Sequence, residues 1–270
     1  MLALFRFLAR WPLGLLQFAG AGVGLLVYLA SPSYRGKLLA NLARAGLPRS
    51  LRWACAKQAG AMVGELPFVW FRDPRELAGR VSCDDVEVID SVIRERRGTL
   101  FLTPHIGAFE MTARYVATRF PMVVLFKPPR QAALARLLAA ARNQDAMRSV
   151  PTNLAGVRTL LRTLRSGDCV GLLPDQVPDA GQGDWAPFFG EPAYTLTLPQ
   201  RLAESTGAAV VLALGERLAF GKGWRLHLER MTEVPTPEAV NAAMQRLILR
   251  LPTQYLWGYN RYKRPRGERP

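Results

Sequence analysis

The residues best suited to chemistry lie in one stretch, Thr99-Leu100-Phe101-Leu102-Thr103-Pro104-His105-Ile106-Gly107-Ala108-Phe109-Glu110-Met111. It carries an imidazole and, five positions on, a carboxylate. General-base catalysis uses such a pair: the ring takes a proton near neutral pH, and a carboxylate can orient the ring and stabilise the imidazolium. Residues five apart on a straight helix point to different faces. His105 and Glu110 therefore belong to a strand, a tight turn and a helix start. The competing reading makes His105 a hydrogen-bonded polar residue at a strand end, and a pair this short does not decide the matter alone.

The surrounding elements favour the turn. Pro104 biases Thr103 toward an extended conformation and ends the apolar run, and Gly107 permits the backbone angles a sharp turn needs. Glu110 then falls in the first helical turn, where the helix dipole favours a negative charge, and the free amides there can receive a developing oxyanion. The chain has two histidines. His227 lies in the alternating segment Trp224-Arg225-Leu226-His227-Leu228-Glu229-Arg230, which reads as a surface strand, so His105 is the candidate base.

With 270 residues, 49% of them hydrophobic, the chain suffices for one large α/β domain or two small ones. Thirty-six Lys and Arg against 21 Asp and Glu give a formal charge of +15. Such an excess predicts a polyanionic partner: nucleic acid, anionic headgroups or an acidic carrier protein. Cys55, Cys83 and Cys169 are odd in number and far apart, which argues against disulfides and zinc sites.

Trp11 to Ala30 carries no charge, and Gln17 is its only strongly polar side chain. That length matches a membrane span. A signal peptide and a glycine-rich helix lying in the interface, or packed on the protein's own helices, are the other readings; Gly14, Gly20, Gly22 and Gly24 support the last. Basic residues flank the run on both sides; the positive-inside rule favours a cytoplasmic downstream side, and with both flanks basic it does not decide the orientation alone. Residues 33 to 71 read as helical with a break at Gly46-Leu47-Pro48, and Leu66 to Phe71 reads as core or as an acyl-chain wall. Asp84 to Arg96 reads as a helix.

Pro121 to Phe126 reads as a buried strand closed by Lys127-Pro128-Pro129-Arg130. A helix from Gln131 to Asn143 follows, with Leu134, Leu137, Leu138 and Ala141 on one stripe and Arg142 elsewhere. Asn153 caps a helix over 154–165, on which Leu154, Val157, Leu161 and Leu164 are expected to be buried and Arg158, Arg162 and Arg165 form a basic row. Cys169 to Pro174 reads as a strand with Asp175 and Gln176 just after it, the position where open α/β sheets place ligands. Beyond a Gly-, Asp- and Pro-rich loop come a helix near 197–205, a strand over 208–214, the strand around His227, and a last helix opened by Thr236 and Pro237. The chain closes on an aromatic and basic tail.

Several of these stretches together resemble the bacterial lipid A late acyltransferases, of the lysophospholipid acyltransferase superfamily. His105-Ile106-Gly107-Ala108-Phe109-Glu110 is similar to the His-x4-Asp/Glu motif. Asp175-Gln176, Pro187-Phe188-Phe189-Gly190 and Thr195 resemble a second segment, and Gln254-Tyr255-Leu256-Trp257 with Arg261-Tyr262-Lys263 a third. Ile106, Ala108 and Phe109 depart from the usual aromatic, Asn and Trp, and Leu251-Pro252-Thr253 from the commoner residues before Gln254.

The resemblance implies a glycerol-3-phosphate acyltransferase-like α/β catalytic domain over 33–270, with a mostly parallel sheet flanked by helices, and a membrane anchor helix over 1–32. It implies acyl transfer from an acyl carrier protein thioester to a hydroxyl of a phosphorylated lipid A precursor, at the cytoplasmic face of the bacterial inner membrane. His105 would be the base and Glu110 its orienting carboxylate, with Arg142, Asp175, Arg158 and Gln176 binding substrate. No metal, cofactor or nucleic acid is implied. Another membrane lipid as acceptor, or acyl-CoA as donor, is the alternative.

Overall fold

The computed structural model describes residues 1–127, 131–142 and 146–268. Pro128, Pro129, Arg130 and Asn143, expected to close a strand and end a helix, lie outside the described residues. The first helices are α1 (Leu2–Leu8), α2 (Leu13–Ala30), α3 (Pro32–Arg44), α4 (Arg52–Phe71) and α5 (Pro74–Ala78). The α/β part follows with β1 (Val81–Cys83), α6 (Val86–Arg94), β2 (Thr99–Leu102), α7 (Phe109–Ala117), β3 (Met122–Phe126), α8 (Ala132–Arg142), β4 (Met147–Pro151), α9 (Leu154–Arg165) and β5 (Cys169–Leu172). A hairpin, β6 (Gly183–Phe188) with β7 (Glu191–Leu196), precedes α10 (Leu198–Thr206), β8 (Ala209–Arg217), β9 (Trp224–Met231) and α11 (Pro237–Arg250).

Seven strands form one sheet in the order β1-β9-β8-β2-β5-β3-β4. Every pairing is parallel except β8 with β9. Parallel strands are covered on both faces, so they read as continuous apolar runs. The pleat sends Leu100, Leu102, Val170, Leu172, Val210 and Leu212 into one core. Phe101, Cys169 and Val211 go into the other, with Phe68, Val69 and Trp70 of α4. The apolar end of α4 is therefore core.

The caps at Asn153 and Thr236 are present: their side chains accept from the amides of Gly156 and Ala239 at 2.9 and 3.2 Å. Leu137 and Ala141 of α8 are buried as expected. On α9 the buried stripe is Gly156, Leu160 and Leu164, whereas Leu154, expected inside, is 77% exposed. The helix is rotated because a Cβ on Gly156 would lie 1.9 Å from Pro151 O, and only glycine lets α9 approach β4 so closely.

Helix α2 packs antiparallel along α4 through glycines. A Cβ on Gly24 would lie 2.2 Å from Ala56 O, and one on Gly64 2.3 Å from Leu16 O. Of the readings of this apolar run, packing on the protein's own helices is what the structure contains. The opposite face of α2 is bare and apolar, with Leu15, Phe18, Val23, Leu26 and Leu29 exposed.

Candidate active site

Strands β2 and β5 pair in parallel, with Leu102 opposite Leu172. His105 and Asp175 each lie three residues past that pair. Chain direction and register thus bring together residues 70 apart in sequence. Asp175 Oδ1 lies 2.7 Å from His105 Nδ1, and Oδ2 accepts the His105 amide at 2.9 Å. With Nδ1–H donating to the carboxylate, Nε2 carries the lone pair. Gln176 Nε2 donates to it at 3.1 Å, and the imidazole side chain is 20% exposed.

Asp175 is 2% exposed. Burial alone would raise its carboxyl pKa, but the charge of His105, the bonds from its ring and amide, and nearby Arg261 hold it below the ordinary value. Tyr255 is buried beside it and bonded to it; burial first, then the charge of Asp175, push the phenol well above its usual range. Tyr255 is therefore a neutral donor to a charged acceptor.

This geometry corrects one role. Glu110, expected to orient His105, sits in the first turn of α7 and binds Arg142 and the indole of Trp70, the latter at 3.2 Å. The local spacing suggested a local partner, but the turn at Gly107 aims the two side chains apart. Arg142 ends α8, bonds Glu110 through Nη2 and through Nε at 3.3 Å, and lies over the Phe126 ring. Arg114, buried behind this pair, donates to Ala141 O; its pKa falls to about 10 mainly through burial. Arg158 is exposed near the start of α9 and makes no hydrogen bond or ion pair among the described residues. His227 bonds Glu216 at 2.9 Å on β9, as a strand residue.

The turn itself is held by groups from across the chain. Gly107 has φ +55°, and a Cβ there would lie 2.0 Å from Gly215 O. Its amide donates to Gln254 O at 3.0 Å, the Ala108 amide to Gly215 O at 2.7 Å, and the Leu256 amide to His105 O at 3.1 Å. Buried Arg217 donates to Gly107 O at 2.9 Å and pairs with Glu65 at 2.8 Å through both Nε and Nη2. Gln17 Nε2 in turn donates to Glu65 at 2.9 Å.

Among the described residues, no group of three or more His, Cys, Asp or Glu side chains is placed to hold a metal. The buried thiols of Cys55 and Cys169 are pushed up to about 12 by burial, which makes both poor nucleophiles.

Compared with known proteins, residues 1–264 match the family described as bacterial lipid A biosynthesis acyltransferase. The chain belongs to this family. It is similar to the lipid A biosynthesis palmitoleoyltransferase of Escherichia coli K12, 29% identical over 197 residues, covering 68% of this chain and 63% of that protein. The lauroyltransferase of the same organism is 26% identical over 222 residues, covering 78% and 71%. Its myristoyltransferase is 28% identical over 162 residues, covering 59% and 48%.

The motifs of this acyltransferase family member now have physical roles. Gln254 and Tyr255 clamp the His105 turn, Tyr255 forming an antiparallel bridge with Ile106. Arg261, 2% exposed, bonds Tyr194 O, Thr195 Oγ1 and Asn241 Oδ1, locking the β6–β7 hairpin to α11. Phe109, standing where the family has Trp, packs its ring 5.1 Å from the imidazole. Glu65 and Arg217 were not singled out in the sequence; the signals were Gln17 in an apolar helix and a lone carboxylate in the apolar α4.

Proposed function

We propose that this protein is a membrane-bound O-acyltransferase of lipid A biosynthesis. It would move a fatty acyl chain from an acyl carrier protein thioester to a hydroxyl of a phosphorylated lipid A precursor. The observation that carries this reading is the imidazole whose Nδ1 is bound by buried Asp175 while Nε2 is directed to the accessible edge of the sheet.

In the proposed reaction the acceptor hydroxyl takes the place of the Gln176 amide at Nε2. His105 removes its proton as the oxygen attacks the thioester carbonyl, forming the C–O bond. Asp175 stabilises the imidazolium, and the tetrahedral intermediate collapses with cleavage of the C–S bond. The departing thiolate takes the proton from His105, leaving ester and thiol with no covalent enzyme intermediate. Glu110 fixes the guanidinium of Arg142, which would meet the thioester oxygen or a lipid phosphate. Arg158 and the wider positive charge would meet the acidic carrier or the phosphates.

Helices α1 and α2 would seat the domain on the cytoplasmic face of the inner membrane, with residues 1–32 as the anchor and 33–270 as the catalytic domain. Because α2 is packed lengthwise on α4, we read it as lying in the interface with its bare face in the lipid.

The test uses membranes holding the protein or its His105→Ala variant, supplied with acyl carrier protein thioesters and an underacylated lipid A precursor. Mass spectrometry should show a new ester that depends on His105. A His105-dependent ester on a different lipid would replace the acceptor, and no ester on any lipid would overturn the reading.

A further inference from the structure

The loop between β8 and β9 carries an anomaly that catalysis does not explain. Phe220 is 94% exposed and holds φ +57°, ψ +32°. A bulky residue in the left-handed region is strained, and such outliers cluster at functional sites. A loop selected for stability alone would carry glycine here, as it does at Gly221 and Gly223, both with positive φ.

The loop's position gives the residue a use. Strand β8 runs parallel to β2 and passes the catalytic turn at Gly215, whose carbonyl receives the Ala108 amide. Phe220 lies five residues farther along, so it projects at most about 17 Å past the turn. The loop is seated on the first turns of α2: a Cβ on Gly14 would lie 3.3 Å from Phe220 O, and the Gly221 amide donates to Gln17 Oε1 at 3.2 Å. Exposed Trp11, Leu15 and Phe18 flank that seat in sequence. Lys222 lies in the loop two residues past Phe220, and Arg6 and Arg10 precede α2, all exposed.

We propose that Phe220 is a membrane-inserting wedge, a second contact with an anionic bilayer beside the bare face of α2. The inference rests on the membrane reading above and deepens it. An apolar tip ringed by lysine and arginine suits a bilayer of acidic headgroups. Two contacts, one along α2 and one at the loop, fix the domain's tilt and turn the His105 edge toward the lipid.

The test is a labelled Phe220→Cys protein, with an environment-sensitive fluorophore, mixed with phosphatidylethanolamine and phosphatidylglycerol vesicles. Ser166→Cys, exposed at the opposite edge of the sheet before β5, is the control. The label at 220 should shift to the blue and be quenched by brominated lipid, while the label at 166 should be quenched by iodide only. Identical behaviour at the two positions would overturn the proposal, as would a blue shift that needs protein concentration and no vesicles, which would mean a second copy.

Phe220→Gly supplies the second reading. It removes the backbone strain, so its melting temperature should be equal or higher, while vesicle flotation should weaken roughly tenfold. A lower melting temperature would make Phe220 a packing residue and end the proposal. Neither measurement needs acyl transfer, so failure of the proposed reaction and failure of the wedge are separate results.

Discussion

Asp175 grips His105 at two places, its Oδ1 at the ring nitrogen and its Oδ2 at the backbone amide, 2.7 and 2.9 Å away. One buried carboxylate thereby sets both the position of the residue and the tautomer of its ring. Asp175→Asn keeps the shape but offers an amide where a carboxylate oxygen accepted. Acyl transfer should fall on the order of 10³–10⁴-fold, with folding retained and the pH profile of the residual rate altered. A loss below tenfold would deny Asp175 the positioning role.

The same residue makes stability depend on acidity. Its folded pKa lies below the ordinary 3.8, so its charge contributes stability that is complete above that value and is lost as pH falls through the lowered folded value. Thermal melts of wild type and Asp175→Asn should differ above about pH 4 and converge below it. A gap that stays constant into acid would contradict this.

Glu110 and Arg142 act as one unit if the ion pair between them is what sets the guanidinium. Glu110→Ala and Arg142→Ala should each reduce kcat/KM strongly, on the order of 10²-fold, and the double variant little further. Multiplying losses in a double-mutant cycle would show two independent roles.

Arg158 and Arg162 are both exposed on α9, and Arg158 is the nearer of the two to the helix start. Arg158→Ala should raise KM for the carrier thioester a few-fold, with kcat unchanged and a shallower salt dependence. Arg162→Ala should change neither, and equal effects would mean diffuse attraction.

Gly107→Ala should fold poorly, losing at least about 2 kcal/mol in urea denaturation, because φ +55° and the Gly215 carbonyl both oppose a side chain. Arg217→Met should cost about 3–5 kcal/mol by leaving Glu65 charged and buried. Arg217→Met combined with Glu65→Leu should recover much of that stability, whereas activity should remain low because Gly107 O has lost its donor.

The parts of this site that were legible in the sequence are those set by local chemistry. Pro104, Gly107 and the apolar run before them specify strand, turn and helix start, and Asn153 and Thr236 specify caps. The strand end before Asp175 marked it as a ligand position. The partnership of Asp175 with His105 was not legible, because it depends on which strands pair and in what register. The hairpin β6–β7 was hidden by its Gly and Pro content and is held by Arg261 and Asn241 from distant segments. On α9 the buried face followed Gly156 rather than Leu154, since close approach to β4 outweighed the burial of one more leucine.

The glycine seam between α2 and α4 makes the proposed membrane anchor part of a rigid body. A tethered catalytic domain samples many heights above the lipid; one bolted through Gly20, Gly24, Gly60 and Gly64 has a single altitude. On the proposed function His105 would then work as a depth gauge. An acceptor hydroxyl at the matching distance from the bilayer surface would be acylated, and a chemically identical hydroxyl a few ångströms deeper or shallower would be passed over.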